Sequence, residues 1–207
     1  MVTPAKSIYK IPILLNNGSV LQWEDLKGKK LLLVNTASDC GYTAQYKELQ
    51  QLQDEYANHL HIIAFPSNDF KEQEKGNDET ILKFCQVNFG VNFPLTKKCR
   101  VLKDAGQHPA YQWLTHKNMN GWNDQEPKWN FCKYLINEEG ILTHYFDPDV
   151  VRGSSMGLHF KFFNFSESNS IAPIGFYHGF SFYYTQCNTY DSRKSKLKQL
   201  EDDFSYP

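Results

Sequence analysis

Apolar runs and amphipathic stretches follow each other in a regular order along the first part of the chain. Residues 31–36 are mainly apolar without alternation, which predicts a central strand buried on both faces. Apolar residues then recur every three or four positions over 46–56, as expected of a helix, and Thr43 is placed to cap it. Residues 60–65 form a second apolar run. Strand, helix and strand in this order predict a parallel pair joined by a right-handed crossover.

The remaining pattern predicts hairpins and one more helix. Three elements are expected: an N-terminal β-hairpin at 11–15 and 19–23, a helix at about 78–88, and a later hairpin at 131–136 and 141–146. Asn17-Gly18 is a strong signal for a tight turn, and Gly140 ends the second turn. The pattern as a whole predicts an α/β fold with helices packed on a sheet.

Composition changes late in the chain and suggests a boundary. Aromatic residues make up 13 of the 59 residues from 149 to 207, against 18 of the 148 before them. We therefore expect a folded domain over 1–148, followed by an atypical aromatic-rich C-terminal tail over 149–207. The pattern of this tail predicts no particular fold.

Charge and cysteine content exclude several classes of function. A net charge of -1 and a sequence pI near 6.6 give no field that would attract nucleic acid or an acidic membrane surface. No signal peptide and no apolar run of membrane-spanning length are visible, so we expect a cytoplasmic protein without stable membrane association. The five cysteines have neither zinc spacing nor the density of a disulfide scaffold. They are read as single thiols in a reducing compartment, with no metal or cofactor expected.

Cys40 is the leading candidate for chemistry. It follows the first predicted strand and precedes Gly41 and a helix, and the positive end of a helix stabilises a thiolate. A lone cysteine at the end of a buried strand is, however, more often an inert packing residue. The flanking segments are needed to decide between these interpretations.

Three segments occur together in the chain: NTASDCGYT at 35–43, FPSNDFKEQEKG at 65–76 and KWNF at 128–131. In this order they resemble the glutathione peroxidase family, whose segments run like NVASxCGxT, FPCNQFxxQEPG and KWNF. The resemblance covers about residues 8–148. It implies a thioredoxin-like fold with a central mixed β-sheet flanked by helices. It also implies a catalytic tetrad, which falls here on Cys40, Gln73, Trp129 and Asn130.

The implied reaction is reduction of hydrogen peroxide or of organic and lipid hydroperoxides in the response to oxidative stress. A Cys40 thiolate attacks the distal peroxide oxygen, giving water or an alcohol and a cysteine sulfenic acid. Donors from Gln73, Trp129 and Asn130 would stabilise the thiolate and the departing oxygen. Thioredoxin or glutathione would then restore the thiol. The chain between 109 and 128 lacks the insertion through which tetrameric relatives associate, so a monomer is expected.

Resolution of the sulfenic acid is less clearly indicated. Many relatives use a second cysteine in the helix after the QEPG segment, and Cys85 lies in that helix, one residue earlier than usual. Its place on the apolar stripe of Ile81 and Phe89 equally predicts buried packing. Cys132 would share a strand face with Asn130 if that segment is extended, although packing is favoured for it as well.

Departures from the family pattern leave two other interpretations open. Asp69 and Lys75 replace the usual Gln and Pro, so the loop that carries Gln73 is expected to be less rigid. The chain could be a redox sensor that passes oxidation from Cys40 to a partner protein. It could also be a destabilised, inactive homologue whose altered tail leaves Cys40 unreactive.

Overall fold

The computed structural model describes residues 6–150, which form a mixed four-stranded sheet with helices on both faces. The strands are β1 (Lys30–Thr36), β2 (Leu60–Pro66), β3 (Lys133–Ile136) and β4 (Leu142–Phe146). Their order in the sheet is β2-β1-β3-β4, with β1 parallel to β2 and the other neighbours antiparallel. The predicted parallel pair, later hairpin and mixed sheet are confirmed.

Strand β1 is central, and its side chains divide between two hydrophobic clusters. Leu31 and Leu33 pack in one cluster, whereas Leu32 and Val34 pack in the other. All seven residues of the strand are buried. Alternate residues of a strand point to opposite faces, so burial on both faces explains the apolar run without alternation.

The helices cover the two faces of this sheet. They are α1 (Gln45–Glu55), α2 (Asp78–Phe89), α3 (Pro109–Thr115) and α4 (Lys117–Asn120), with short 3-10 turns at Ile8–Lys10 and Trp23–Leu26. Apolar residues of α1 and α2 belong to the cluster that contains Leu32. Apolar residues of α3 and of the N-terminal segment belong to the cluster that contains Leu31. The result is a three-layer arrangement, as predicted for an α/β fold.

The two predicted helices form, but α1 begins later than expected. The side chain of Asn77 accepts a hydrogen bond from the Thr80 N–H and caps α2, and Gly90 ends this helix at a φ of 65°. The prediction that Thr43 caps α1 is wrong. Residues 42–47 first form hydrogen bonds between positions three apart, and the helix itself starts at Gln45.

The N-terminal hairpin is present in a short form. The chain reverses at Gly18, which has a φ of 86°, and forms a single antiparallel bridge between Leu14 and Val20. Trp23 then starts a 3-10 turn and donates its ring N–H to the Ile11 carbonyl at 2.7 Å. Burial of Trp23 against the domain therefore ends the hairpin after one bridge.

The predicted tail lies outside the described residues, apart from its first two positions. Within 6–150, no helix is both long and apolar enough to cross a membrane. The same residues contain no group of three or more His, Cys, Asp or Glu side chains arranged to hold a metal ion.

Candidate active site

Cys40 lies in a tight turn between β1 and α1, and it is partly buried. Its main-chain N–H donates to the Thr43 hydroxyl at 3.0 Å, and that hydroxyl donates to the Ala37 carbonyl at 3.0 Å. The Tyr42 N–H points at the Cys40 sulfur, at 3.5 Å. Thr43 therefore stabilises the turn and does not cap α1. The Tyr42 N–H, in the segment that leads into α1, faces the Cys40 thiol.

Gln73 lies beside this turn, at the end of the loop that follows β2. Its carbonyl accepts a hydrogen bond from the N–H of Asp39 at 3.0 Å, one residue before Cys40. The preceding residues Lys71 and Glu72 are exposed and have φ values of 50° and 53°. Left-handed backbone at residues other than glycine costs on the order of 1 kcal/mol each and tends to occur at functional sites. These two residues turn the loop back so that Gln73 meets the Cys40 segment.

Trp129 and Asn130 lie in a turn before β3 that β1 holds in place. The side-chain amide of Asn35, in β1, donates to the Trp129 carbonyl at 2.9 Å. The main-chain carbonyl of Asn35 accepts from the Phe131 N–H at 2.6 Å. Phe131 has a φ of 67° and is fully buried. This left-handed residue is the reason that residues 131 and 132, predicted as strand, precede β3 instead.

Side-chain contacts join Gln73, Trp129 and Asn130 to one another. The Asn130 amide donates to Gln73 Oε1 at 2.9 Å. The Trp129 ring packs on Phe70 of the Gln73 loop, with ring centroids 5.5 Å apart, and Lys71 Nζ lies 5.4 Å from the Trp129 centroid. In residues 6–150, the hydrogen bond that reaches the Cys40 sulfur comes from Tyr42, and the three predicted side-chain donors make none to it. The residues of the implied tetrad thus lie on three connected segments.

Asp69, which departs from the family pattern, has a structural role in this loop. Its Oδ2 accepts from the N–H groups of Val101 at 2.6 Å and Leu102 at 3.1 Å, and its Oδ1 lies 3.4 Å from Arg100 Nε. Lys98 Nζ also donates to the Gly76 carbonyl at 2.6 Å. Asp69 therefore ties the loop to the segment over 100–102, and Lys98 ties its last residue. The lower rigidity expected from the two departures stays a prediction.

Glu74 is the most unusual ionisable group near the site. It is 1% exposed, accepts a hydrogen bond from the Ser38 hydroxyl at 3.1 Å, and its other carboxyl oxygen is buried without a partner. Burial raises the pKa of Glu74 to about 7, although Ser38 and Lys98 lower it in part. This carboxyl therefore changes charge near neutral pH.

Comparisons with known proteins show which family the chain belongs to. A family profile described as "Glutathione peroxidase" matches residues 8–115. A glutathione peroxidase homolog of Staphylococcus epidermidis is 42% identical over 144 residues, covering 69% of this chain and 90% of its own length. A glutathione peroxidase-like peroxiredoxin of Saccharomyces cerevisiae is 41% identical over 133 residues, covering 64% of this chain and 81% of its own. The chain belongs to the glutathione peroxidase family.

Solved structures support the fold of this glutathione peroxidase family member. The crystal structure of Trgpx in apo form matches with a TM-score of 0.56 and 28% identity, covering 76% of this chain and 95% of that one. A thioredoxin family protein from Chlorobium tepidum matches with a TM-score of 0.54 at 13% identity, which shows the fold alone. The thioredoxin-like fold is confirmed. Family membership makes the protein a peroxidase, an oxidoreductase that reduces hydroperoxides.

The two candidate resolving cysteines of this family member are both fully buried. Cys85 lies on α2 in the same hydrophobic cluster that Cys40 borders, and burial raises its pKa to about 11. Cys132 accepts a hydrogen bond from the Tyr145 hydroxyl at 3.2 Å. The argument that Cys132 shares a strand face with Asn130 is wrong, because the left-handed Phe131 breaks the extended backbone between them.

Two residues of the site were not recognised from the sequence. Asn35 interrupts an apolar strand, and a polar residue at a position buried on both faces is a usable signal of an anchoring role. Glu74 gives no such signal, because it is one of several charged residues in a polar loop. Its burial depends on how this loop folds onto Ser38.

Proposed function

We propose that Cys40 is the peroxidatic nucleophile of this thiol peroxidase and that Gln73, Trp129 and Asn130 supply the donors around it. The observation that carries the proposal is the link between segments: Gln73 bonds through its carbonyl to Asp39, next to Cys40, and through its side chain to Asn130. The N–H groups of these side chains make no hydrogen bond to the sulfur here, and catalytic hydrogen bonds often tighten only when substrate binds.

The proposed reaction oxidises the sulfur and reduces the peroxide. The Cys40 thiolate attacks the distal oxygen, the O–O bond breaks, and its electron pair leaves on the other oxygen, which takes a proton to become water or an alcohol. The sulfenic acid then condenses with a thiol, releasing water and forming a disulfide. A second thiol reduces that disulfide and restores Cys40.

Substitution of Cys40 tests this assignment. Cys40→Ser should abolish peroxide consumption while thermal unfolding stays close to that of the wild type. Cys99→Ser is a matched control, because burial raises the pKa of Cys99 to about 12 and this thiol lies outside the site. Full turnover by Cys40→Ser would refute the assignment.

We further propose that thioredoxin or glutathione supplies the reducing thiol, and that Cys85 resolves the sulfenic acid only after α2 opens. Cys85 belongs to the hydrophobic cluster that Cys40 borders, but its buried thiol is a poor nucleophile while α2 is packed. Cys85→Ser should then stop thioredoxin-driven turnover and spare the first oxidation, whereas Cys132→Ser should leave both turnover and the first oxidation unchanged. Unchanged turnover with thioredoxin in Cys85→Ser would rule out this role.

The burial of Cys85 also favours a second candidate function, that of a redox sensor. A slow resolving thiol lengthens the life of the sulfenic acid, which leaves time for a partner protein to attack it. Steady peroxide consumption with thioredoxin separates the two functions, because a sensor turns over about once for each partner molecule and then stops.

The proposed setting is a monomer in the reducing cytoplasm. The support for a monomer is the short segment between 109 and 128, which lacks the insertion of tetrameric relatives. The support for a reducing compartment is that Cys40, Cys85, Cys99 and Cys132 are all unpaired in the part of the chain that the structure describes. Sedimentation at micromolar concentration and localisation of a tagged chain test the two parts of this proposal separately.

A further inference from the structure

Glu74 connects the two segments that meet at Cys40. Its carboxyl Oε2 accepts from the hydroxyl of Ser38, two residues before Cys40, and its main-chain N–H donates to Asn68 Oδ1 at 2.9 Å. The neighbouring residue Gln73 bonds to Asp39. The Glu74 side chain and the Gln73 carbonyl therefore join the Cys40 segment to the loop that carries Gln73.

The surroundings of this carboxyl suit a neutral acid better than an anion. Its Oε1 is buried without a donor, and a charged oxygen left without a hydrogen bond in the interior is strongly disfavoured. Lys98, the cation that lowers the pKa of Glu74, already donates to the carbonyls of Glu74 and Gly76. An ionised Glu74 would have to draw Lys98 away from these carbonyls or open the loop to water.

We propose that Glu74 is a positioning residue for Cys40: its neutral carboxyl holds the Ser38 and Gln73 segments in the arrangement that reduces peroxide, and its ionisation loosens that arrangement. The proposal rests on the proposed function of Cys40. Glu74 acts through Ser38 and through its chain neighbour Gln73, and it does not itself react.

Other ionisable groups around Glu74 keep their charge in the relevant pH range. Tyr46 of α1 and Cys85 of α2 face it, and burial raises the pKa of Tyr46 well above its usual value and that of Cys85 to about 11. Lys98 faces it from the segment after α2 and lowers the pKa of Glu74. Tyr46 and Cys85 therefore stay neutral between pH 6 and 8, where Glu74 titrates.

The test compares the pH profiles of wild type and Glu74→Gln. Glutamine has nearly the same shape, still accepts from Ser38 and cannot ionise. The ratio of kcat/KM for hydrogen peroxide, Glu74→Gln over wild type, cancels pH effects that both proteins share. We expect a ratio near one at pH 6 that rises about tenfold by pH 8, since one unit above its pKa leaves about a tenth of a carboxyl neutral.

Two further variants separate positioning from a general effect of charge. Ser38→Ala removes a hydrogen bond that lowers the pKa of Glu74, so it should move the step in the profile to higher pH. Glu79→Gln removes an exposed carboxylate of α2 and should leave the wild-type profile unchanged. Far-UV circular dichroism at each pH confirms that the variants remain folded.

The outcomes distinguish the two proposals. Parallel profiles for wild type and Glu74→Gln, in a protein whose activity depends on Cys40, would overturn the role of Glu74 alone. A step that stays at the same pH in Ser38→Ala would also contradict it. Peroxide reduction that survives Cys40→Ser would instead refute the proposed function, whatever the profile of Glu74→Gln.

Discussion

Two segments bring the proposed donors to Cys40, and the structure holds them by different means. The turn over 129–132 is bonded to Asn35 of the central strand through an uncharged amide and main-chain groups. The loop over 67–76 is held by the ionisable side chains Asp69, Glu74 and Lys98. Ionic strength and pH act on ionisable groups and hardly on amides. Changes in either should therefore move Gln73 and leave Trp129 and Asn130 in place. The site therefore has a fixed half and an adjustable half.

The largest expected effect is a pH dependence of stability that comes from Glu74 on the adjustable side. Folding raises the pKa of this group from 4.5 to about 7, so the stability that its neutral form contributes is complete below pH 4.5 and is lost as the pH rises through about 7. The shift corresponds to about 3 kcal/mol in the free energy of unfolding. Urea unfolding of wild type and Glu74→Gln at pH 5 and pH 8 measures it.

The glutamine variant should lose this dependence, and Glu79→Gln should keep it. If wild type and Glu74→Gln lose the same stability between pH 5 and 8, then Glu74 is not the group responsible, and its ionisation does not adjust the loop.

On the fixed side, Asn35→Ala should lower the free energy of unfolding by about 2 kcal/mol, because the part-buried Trp129 carbonyl is left without its donor. Peroxide reduction should fall with it at every pH, since no charge is involved. Urea unfolding and initial rates measure the two effects. Asn88→Ala, at an exposed position of α2, should change stability little.

Asp69→Asn should lower stability by about 1 kcal/mol, because an amide oxygen accepts less strongly than a carboxylate from the Val101 and Leu102 N–H groups. The loss should shrink as salt screens the wild-type interaction with Arg100. Thermal unfolding at low and high ionic strength gives the comparison. Equal salt dependence in Asn35→Ala would mean that the two halves do not differ as proposed.

The smallest expected effect is that of Lys98→Met, roughly 0.5 kcal/mol, because water can replace a partly exposed donor to the Gly76 carbonyl. Its influence on rate should exceed its influence on stability, since it frees the end of the loop next to Gln73. Initial rates of peroxide reduction and urea unfolding, both measured on one preparation of the variant, compare the two effects. Lys83→Met, on an exposed turn of α2, provides the comparison.

The strands and helices were predicted well from the sequence, because they depend on local patterns of apolar residues. The unbroken apolar runs of β1 and β2 and the stripe of α2 follow directly from burial. The turn at Cys40 and the bend at Phe131 were not predicted, since both depend on hydrogen bonds between distant segments, such as that from Phe131 to Asn35. The burial of Glu74 was missed for the same reason.

The candidate site was predicted as a set of residues, not as a geometry. The three sequence segments indicated Cys40, Gln73, Trp129 and Asn130. The structure links the segments through Gln73, with its side chain bonded to Asn130 and not to the sulfur. A pattern of residue types cannot distinguish these two arrangements, because both use the same amides.

Mass spectrometry of the chain after one equivalent of hydrogen peroxide, with dimedone present to trap sulfenic acid, tests the central claim most directly. We predict one dimedone adduct, on Cys40, and none on the buried Cys85 and Cys132 or on the partly buried Cys99. An adduct on one of these three cysteines with Cys40 unmodified, or no adduct or disulfide on any cysteine, would contradict the account.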